Sequence, residues 1–263
     1  MARENAFIII GELVNAPIVL LNEEYNNFRL SFSVKTVRRN GRTDYPKISV
    51  YGLSEKEARA YLGKMKPGSF VMVRGMLSTK MFKKPVKCEA CGEVSQISTL
   101  QTEIICYSNP YIFEGTVDPK EIAEFSNVGN IIGSLCTDIS RMDSATGPTA
   151  AQFQVAVNRR YRVKELEHDI RTDYPWVKAF GPTADECLKR LKKSSQVYIS
   201  GAYQTRDISR RVACEACGKQ IVYTERVGEV IPSGIEFLNN CLFEERDDKK
   251  EVEEGIADEK EKA

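Results

Sequence analysis

Histidine occurs once in the 263 residues and tryptophan once. The single imidazole, His168, sits between Glu167 and Asp169 and reads as a solvated turn residue, poorly placed as a metal ligand. No apolar run approaches the ~18 residues that a membrane span needs. The run Ile8-Ile9-Ile10 is soon followed by Glu12, and no small-residue cleavage site comes after it. This reads as a chain without a secretory leader, with the cytoplasm as the expected location. A Gly-rich phosphate loop, a nucleophile–base arrangement and a carboxylate cluster with metal spacing are all missing, which argues against an enzyme. Net charge is also small, at +1.

That small charge hides a division. The last 20 residues, Glu244–Ala263, hold 10 acidic and 5 basic side chains, which leaves the body six positive charges in excess. A basic body with an acidic tail suits an anionic partner. Hydrophobic residues at 42% and charged residues at 29% are a globular balance, and the length suffices for two cores.

The chain repeats itself. Arg42-Thr-Asp-Tyr-Pro46 recurs as Arg171-Thr-Asp-Tyr-Pro175, and Cys88-Glu-Ala-Cys-Gly92 recurs as Cys214-Glu-Ala-Cys-Gly218. Gly11 matches Gly133, and Gly75 matches Gly201. Two shared pentapeptides in one order imply a duplicated domain, over residues 1–116 and 126–243, with a linker over 117–125 and a charged, acidic, disordered tail over 244–263. Within each repeat an apolar strand ends at the glycine. An alternating strand follows, Leu30, Phe32, Val34 matched by Phe153, Val155, Val157. A third strand starts after Pro46 or Pro175. Capping boxes Ser54-x-x-Glu57 and Thr183-x-x-Glu186 then open a helix, whose apolar stripe is Ala58, Tyr61, Leu62, Met65 or Ala184, Cys187, Leu188, Leu191. A fourth strand covers Phe70–Leu77 or Val197–Tyr203, the Cys-x-x-Cys hairpin comes next, and a fifth strand closes the unit at Phe113 or Phe237. The expected fold is mainly β: two tandem OB-fold barrels, each with one helix between strands three and four and a Cys-x-x-Cys hairpin between strands four and five.

Strand three carries the informative pattern. In the second repeat Tyr174, Trp176, Lys178 and Phe180 share one face, and Pro175, Val177 and Ala179 the other. The first repeat sets Tyr45, Lys47, Ser49 and Tyr51 against Pro46, Ile48 and Val50. The aliphatic set is the core face. The opposite face interleaves aromatics with lysine, which suits bases that stack and phosphates that need neutralising along a single strand. Packing of these rings against the other repeat or another subunit is the alternative. Strand two leads into Lys35, Arg38, Arg39 and Arg42, or into Arg159, Arg160, Tyr161 and Arg162, as an arm for backbone phosphates or as a solvated charged turn.

The residues Asn130-Ile-Ile-Gly-Ser-Leu135, Phe153-Gln-Val-Ala-Val157, Tyr174 to Gly181, Gln196-Val-Tyr-Ile-Ser-Gly201 and Thr205-Arg206 resemble the bacterial single-stranded DNA-binding protein family. The resemblance covers most of both repeats. It implies stacking aromatics at Tyr174, Phe180 and Tyr161, with Ile208 at the fourth place. In the first repeat it implies Tyr45, Tyr51 and Phe82, with the arm position near Arg38. It further implies a non-catalytic coat for single-stranded DNA in replication, recombination, repair or DNA transfer, and a homodimer presenting four OB-folds. Replication or recombination proteins are candidate partners, although this tail ends Glu261-Lys-Ala263 without the family's apolar tip. A structural OB protein that bridges such proteins is the rival reading.

The paired cysteines are not a usual feature of that family. Cys-x-x-Cys followed by glycine is a knuckle that gives two thiolates to one metal, and a closed zinc site needs four ligands. One zinc shared by Cys88, Cys91, Cys214 and Cys217 is the simplest closure; separate zincs, redox pairs or remnants are the alternatives. Cys187, on the helix stripe, reads as a core thiol.

Overall fold

A computed structural model describes residues 4–142, 147–159, 161–166 and 172–242. His168, Arg160 and all of the tail fall outside the described residues. The chain is mainly β, as its alternating patterns require. The strands are β1 (Asn5–Leu13), β2 (Ile18–Asn22), β3 (Asn27–Val37), β4 (Thr43–Asp44), β5 (Lys47–Leu53), β6 (Phe70–Lys87), β7 (Val94–Cys106), β8 (Tyr111–Ile112), β9 (Asn127–Leu135), β10 (Ser140–Met142), β11 (Ala150–Asn158), β12 (Thr172–Asp173), β13 (Trp176–Phe180), β14 (Gln196–Ala213) and β15 (Gln220–Asn239). Among the described residues two helices interrupt them: α1 (Glu55–Lys64) after β5 and α2 (Pro182–Arg190) after β13.

In the first repeat the pairings run β1–β3–β5–β7–β6 and return to β1, with β5–β7 the one parallel pair of the circuit. The second repeat repeats the circuit as β9–β11–β13–β15–β14, with β13–β15 parallel. Inward residues of each ring are fully buried, among them Ile9, Val34, Ile48, Ile104, Phe153, Val155, Val177 and Ile199. The shared glycines mark tight crossings. A Cβ on Gly75 would lie 2.4 Å from the Ile105 carbonyl oxygen, and one on Gly201 would lie 2.3 Å from that of Ile231. Any larger residue there would push the strands apart.

Several details differ from the sequence reading. Strand five of the first repeat, β7, ends at Cys106, and Phe113 lies past the short β8. Leu62 of the helix stripe is exposed, because α1 buries Ala58 instead. Register sets Phe32 opposite Ile48 and Phe153 opposite Val177, so Phe32 corresponds to Phe153 and Val34 to Val155, two positions from the pairing expected. A shift of two keeps each side chain on its face, so the core is unchanged. Ser54 and Glu57 form the expected capping box, but α2 is capped by Gly181 (φ 57°) with no side-chain bond. Pro182 fixes the first turn there, leaving Thr183 inside the helix. Finally, β6 and β14 run to Lys87 and Ala213, well past their expected ends, because their hairpins remain paired with β7 and β15 to the tip.

The two rings join edge to edge. β1 pairs antiparallel with β9, Asn5 opposite Ile131 and Ile9 opposite Asn127, a register that maps onto itself when the repeats are exchanged. Asn5 exchanges two 2.8 Å bonds with the Leu77 backbone, and Asn127 does the same with Tyr203 at 2.5 and 2.9 Å.

Candidate nucleic-acid interface and metal centre

Alternation positions the faces. Pro175, Val177 and Ala179 are buried while Tyr174, Trp176, Lys178 and Phe180 point outward, and Pro46, Ile48 and Val50 are buried beneath Tyr45, Lys47 and Tyr51. Ser49 is the exception. It lies on the outward face yet is buried, because its Oγ donates to Glu103 at 2.7 Å and accepts from Arg29 at 2.9 Å.

The rings are not equally open. Tyr174, Phe180 and Phe82 are 43%, 44% and 46% exposed. Tyr45 lies beneath Arg226 of the second repeat, at 4.8 Å. Tyr161 stacks on Tyr107 of the first repeat at 4.8 Å. Tyr51 lies beneath Arg29, 4.9 Å away, with its hydroxyl 3.4 Å from Glu103. Burial, then the charge of Glu103, pushes the Tyr51 phenol up from its ordinary value. Lys47 is half-buried, and burial pulls its ammonium down. Trp176 is half-buried beside Lys178, which stands 5.3 Å over the Phe180 ring.

The cations divide in the same way. Arg38 is bidentate on buried Asp44 at 2.5–2.6 Å, and Arg159 is bidentate on buried Asp173 at 2.6–2.8 Å. The Arg159 side chain is only 8% exposed and also donates to Ser78. Arg39 pairs with Glu124 at the surface, and Arg206 with Glu229 at 2.9 Å. These guanidiniums have partners within the protein, so Arg38 and Arg159 act first as ion pairs on buried aspartates.

Two grooves run between the repeats. One, of about 1010 Å³, sets Arg29, Tyr51, Thr79 and Lys80 of the first repeat opposite Gln154, Arg159 and Tyr174 of the second. The other, of about 470 Å³, sets Lys178, Phe180, Thr205 and Arg206 of the second repeat opposite Arg38, Arg42 and Thr43 of the first. The strands pair so that Lys80 and Arg206, Thr79 and Thr205, and Tyr51 and Phe180 are equivalent; the grooves are two versions of one arrangement. Glu103 and Glu229, on β7 and β15, anchor Lys80 and Arg206. Burial acts to raise the Glu103 carboxyl, but Lys80 and Arg29 outweigh it and hold the group below the usual glutamate range. Sequence reasoning missed Asp44, Asp173, Thr79, Thr205, Glu103 and Glu229. The repeated Arg-Thr-Asp-Tyr-Pro motif was the available signal for the aspartates.

The hairpins converge at their tips. Each Cys-x-x-Cys turn is closed by a backbone bond from its glycine, Gly92 to Cys88 and Gly218 to Cys214, both 2.8 Å. Both glycines have positive φ, 80° and 71°, where a side chain would be strained. The four sulfurs lie within 4.8 Å of one another, with Cys88 to Cys217 at 3.8 Å and Cys91 to Cys214 at 3.6 Å. Four thiolates at ~2.3 Å around one zinc stand about 3.8 Å apart, so the donor set fits a structural zinc. Backbone N–H groups of Cys91 and then Ala90 hold the Cys88 thiol down at about 7. Cys187, by contrast, is buried in the core.

A family model, "Single-strand binding protein family", matches residues 126–226, within the second repeat. A single-stranded DNA-binding protein 1 of Clostridium acetobutylicum is 31% identical over 91 residues, covering 33% of this chain and 81% of that protein. A protein of the same description from Chlorobaculum tepidum is 36% identical over 76 residues, 29% of this chain and 47% of that protein. A second Chlorobaculum tepidum protein is matched over 52% of its length, so the chain spans about half of each of these two relatives. Among solved structures, the wild-type single-stranded DNA binding protein from Thermus aquaticus superimposes with a TM-score of 0.62 at 14% identity, covering 94% of this chain and 98% of that one. A deletion mutant of that protein gives 0.61 at 16%, covering 94% and 100%. At such identities the likeness is one of fold. No helix among the described residues is long and apolar enough to cross a membrane.

Proposed function

The chain belongs to the single-strand binding protein family, and from that premise we propose that it binds single-stranded DNA through two OB-folds, without chemistry of its own and largely without regard to sequence. The observation that carries this reading is the outward face of β13 together with Tyr174 just before it. There Tyr174 and Phe180 remain open beside Lys178, while the aliphatic residues between them are buried. Exposed rings give every base a surface on which to stack, and a neighbouring ammonium neutralises phosphate. Duplex reading would need a helix or ribbon that presents hydrogen-bonding side chains to a groove. Of the residues expected at the interface, Tyr174, Phe180, Lys178, Phe82 and Trp176 are the primary contacts. Tyr45, Tyr51, Lys47, Tyr161 and Arg206 contribute at its margins. Arg38 and Arg159 shape the grooves rather than grip phosphate. Such a protein serves replication, recombination or repair, and two chains together would present four OB-folds.

Cys88, Cys91, Cys214 and Cys217 hold one structural zinc in this reading. The ion supplies cross-linking between the two hairpins and no catalysis. Fluorescence anisotropy with labelled oligo-dT, the matching RNA and a duplex tests substrate class. Oligo-dT is expected to bind most tightly; equal affinity for duplex at moderate salt contradicts the proposal.

A further inference from the structure

The repeated Asp-Tyr step makes its contacts across the molecule. The backbone N–H of Tyr174 donates to Thr79 Oγ1 at 2.8 Å, although the two residues belong to different repeats. Thr79 returns the bond, its own N–H donating to Asp173 Oδ1 at 2.8 Å. The mirror set is present: Tyr45 N–H donates to Thr205 Oγ1 at 2.8 Å, and Thr205 N–H to Asp44 Oδ1 at 2.6 Å. Each aspartate is fully buried and clamped by an arginine of its own repeat, Asp173 by Arg159 and Asp44 by Arg38. The exchange therefore fixes the start of one repeat's aromatic strand against strand four of the other. Around the larger groove, Thr79, Lys80 and Tyr51 of the first repeat face Tyr174 of the second.

We propose that this groove is a composite site: one nucleic-acid strand is bound at once by the Tyr51–Lys80 face of the first repeat and by Tyr174 of the second, and Thr79 is the positioning residue that sets the Tyr174 ring. The inference rests on the single-stranded DNA reading above. Its physical basis is that stacking requires a ring at a defined depth and tilt over the groove. The backbone carrying Tyr174 is held there by Thr79 Oγ1, which has no role on the phosphates. The β1–β9 seam already joins the repeats, so the loss of one hydroxyl acts on ring placement rather than on assembly.

A double-mutant cycle on the full chain, read by anisotropy of labelled oligo-dT, tests this. Tyr174→Ala is expected to weaken binding by about 5- to 150-fold, the range for loss of one stacked base in oligonucleotide-binding folds of this kind. Thr79→Val is expected to weaken it by about 5-fold, the worth of an ordinary hydrogen bond, with the salt slope unchanged. Thr79→Ser, which keeps the acceptor, is expected to restore binding. In the Tyr174→Ala background Thr79→Val is expected to do nothing further, because the ring it positions is gone. Multiplying losses, a reduced salt slope, or a lowered melting temperature with unchanged affinity would each overturn the inference. Thr79→Ala runs the same cycle should Thr79→Val not fold. If the unsubstituted chain fails to bind oligo-dT, the DNA reading itself falls; if it binds and the cycle is additive, only the composite site does.

Discussion

The two repeats share one strand circuit but use their outward faces differently. In the first, Arg29, Ser49, Lys80 and Tyr51 converge on buried Glu103. In the second, the positions equivalent to Arg29 and Ser49 are Ala150 and Lys178. The carboxylate, Glu229, is met by Arg206. Lys178 is left beside the open Phe180 ring. A cation bound to an internal carboxylate cannot also neutralise a phosphate at full strength. The second repeat thus keeps the more exposed ring and the freer charge, whereas the first devotes the same positions to an internal network. The seam shows the same complementarity. Phe7 faces Gly129 across it, where an added Cβ would lie 2.1 Å from the ring; within the second repeat Tyr203 lies over Gly228, where an added Cβ would lie 1.8 Å from the hydroxyl. The copies have diverged as partners: each large side chain has its space in the other repeat or beside it.

The largest expected effect concerns what the repeats share, the thiolate cluster. Cys88→Ser or Cys214→Ser alone is expected to abolish metal binding, with one zinc per unsubstituted chain by elemental analysis. Two zincs per chain would show that the repeats act separately. Mixing the two variant chains distinguishes a clasp within a chain from a bridge between chains, since recovered zinc would mean a bridge. Next comes the buried pair. Asp173→Ala strands the buried Arg159 guanidinium and is expected to cost about 3–5 kcal/mol in denaturant unfolding, whereas Asp44→Ala is expected to cost less, because the Arg38 side chain is 24% exposed. A larger loss at Asp44 than at Asp173, or a neutral result at Asp173, would contradict this. The finest contrast lies on the faces. Phe180→Ala is expected to cost about 1–3 kcal/mol of oligo-dT binding, the range known for stacked bases on folds of this kind, and Tyr51→Ala less. A larger loss at Tyr51 would reverse the ranking of the repeats. Val177→Ala serves as the control, lowering stability rather than affinity.

Much of this was legible from local spacing. The core face of strand three, the capping box at Ser54 and each Cys-x-x-Cys knuckle follow from residues within a few positions of one another, and the duplication from the recurrence of two pentapeptides in one order. Register at β3 was legible only to within two residues, because a shift of two preserves the alternation between Leu30 and Val34. The partners of charges were not legible. Arg38 and Arg159 looked like phosphate arms because a basic run is visible in sequence, while the fate of its side chains is set by how Asp44 and Asp173 are buried. The bonds from Tyr45 to Thr205 and from Tyr174 to Thr79 span 160 and 95 positions, beyond any local pattern. Ser49 reads as an outward residue and is buried only because Arg29 and Glu103 close over it.

The central claim, that the aromatic, lysine-bearing face of the second repeat holds single-stranded DNA, has a built-in reporter, because Trp176 is the protein's one tryptophan and lies on that face. Titrating the emission of the full chain with oligo-dT at several salt concentrations reads binding at the site itself. Saturable quenching is predicted, with affinity falling on added salt by a slope of roughly −0.7 per phosphate contact, and a far weaker response to duplex. Unchanged emission under conditions where anisotropy shows the oligonucleotide bound, or an equal response to duplex, would contradict it.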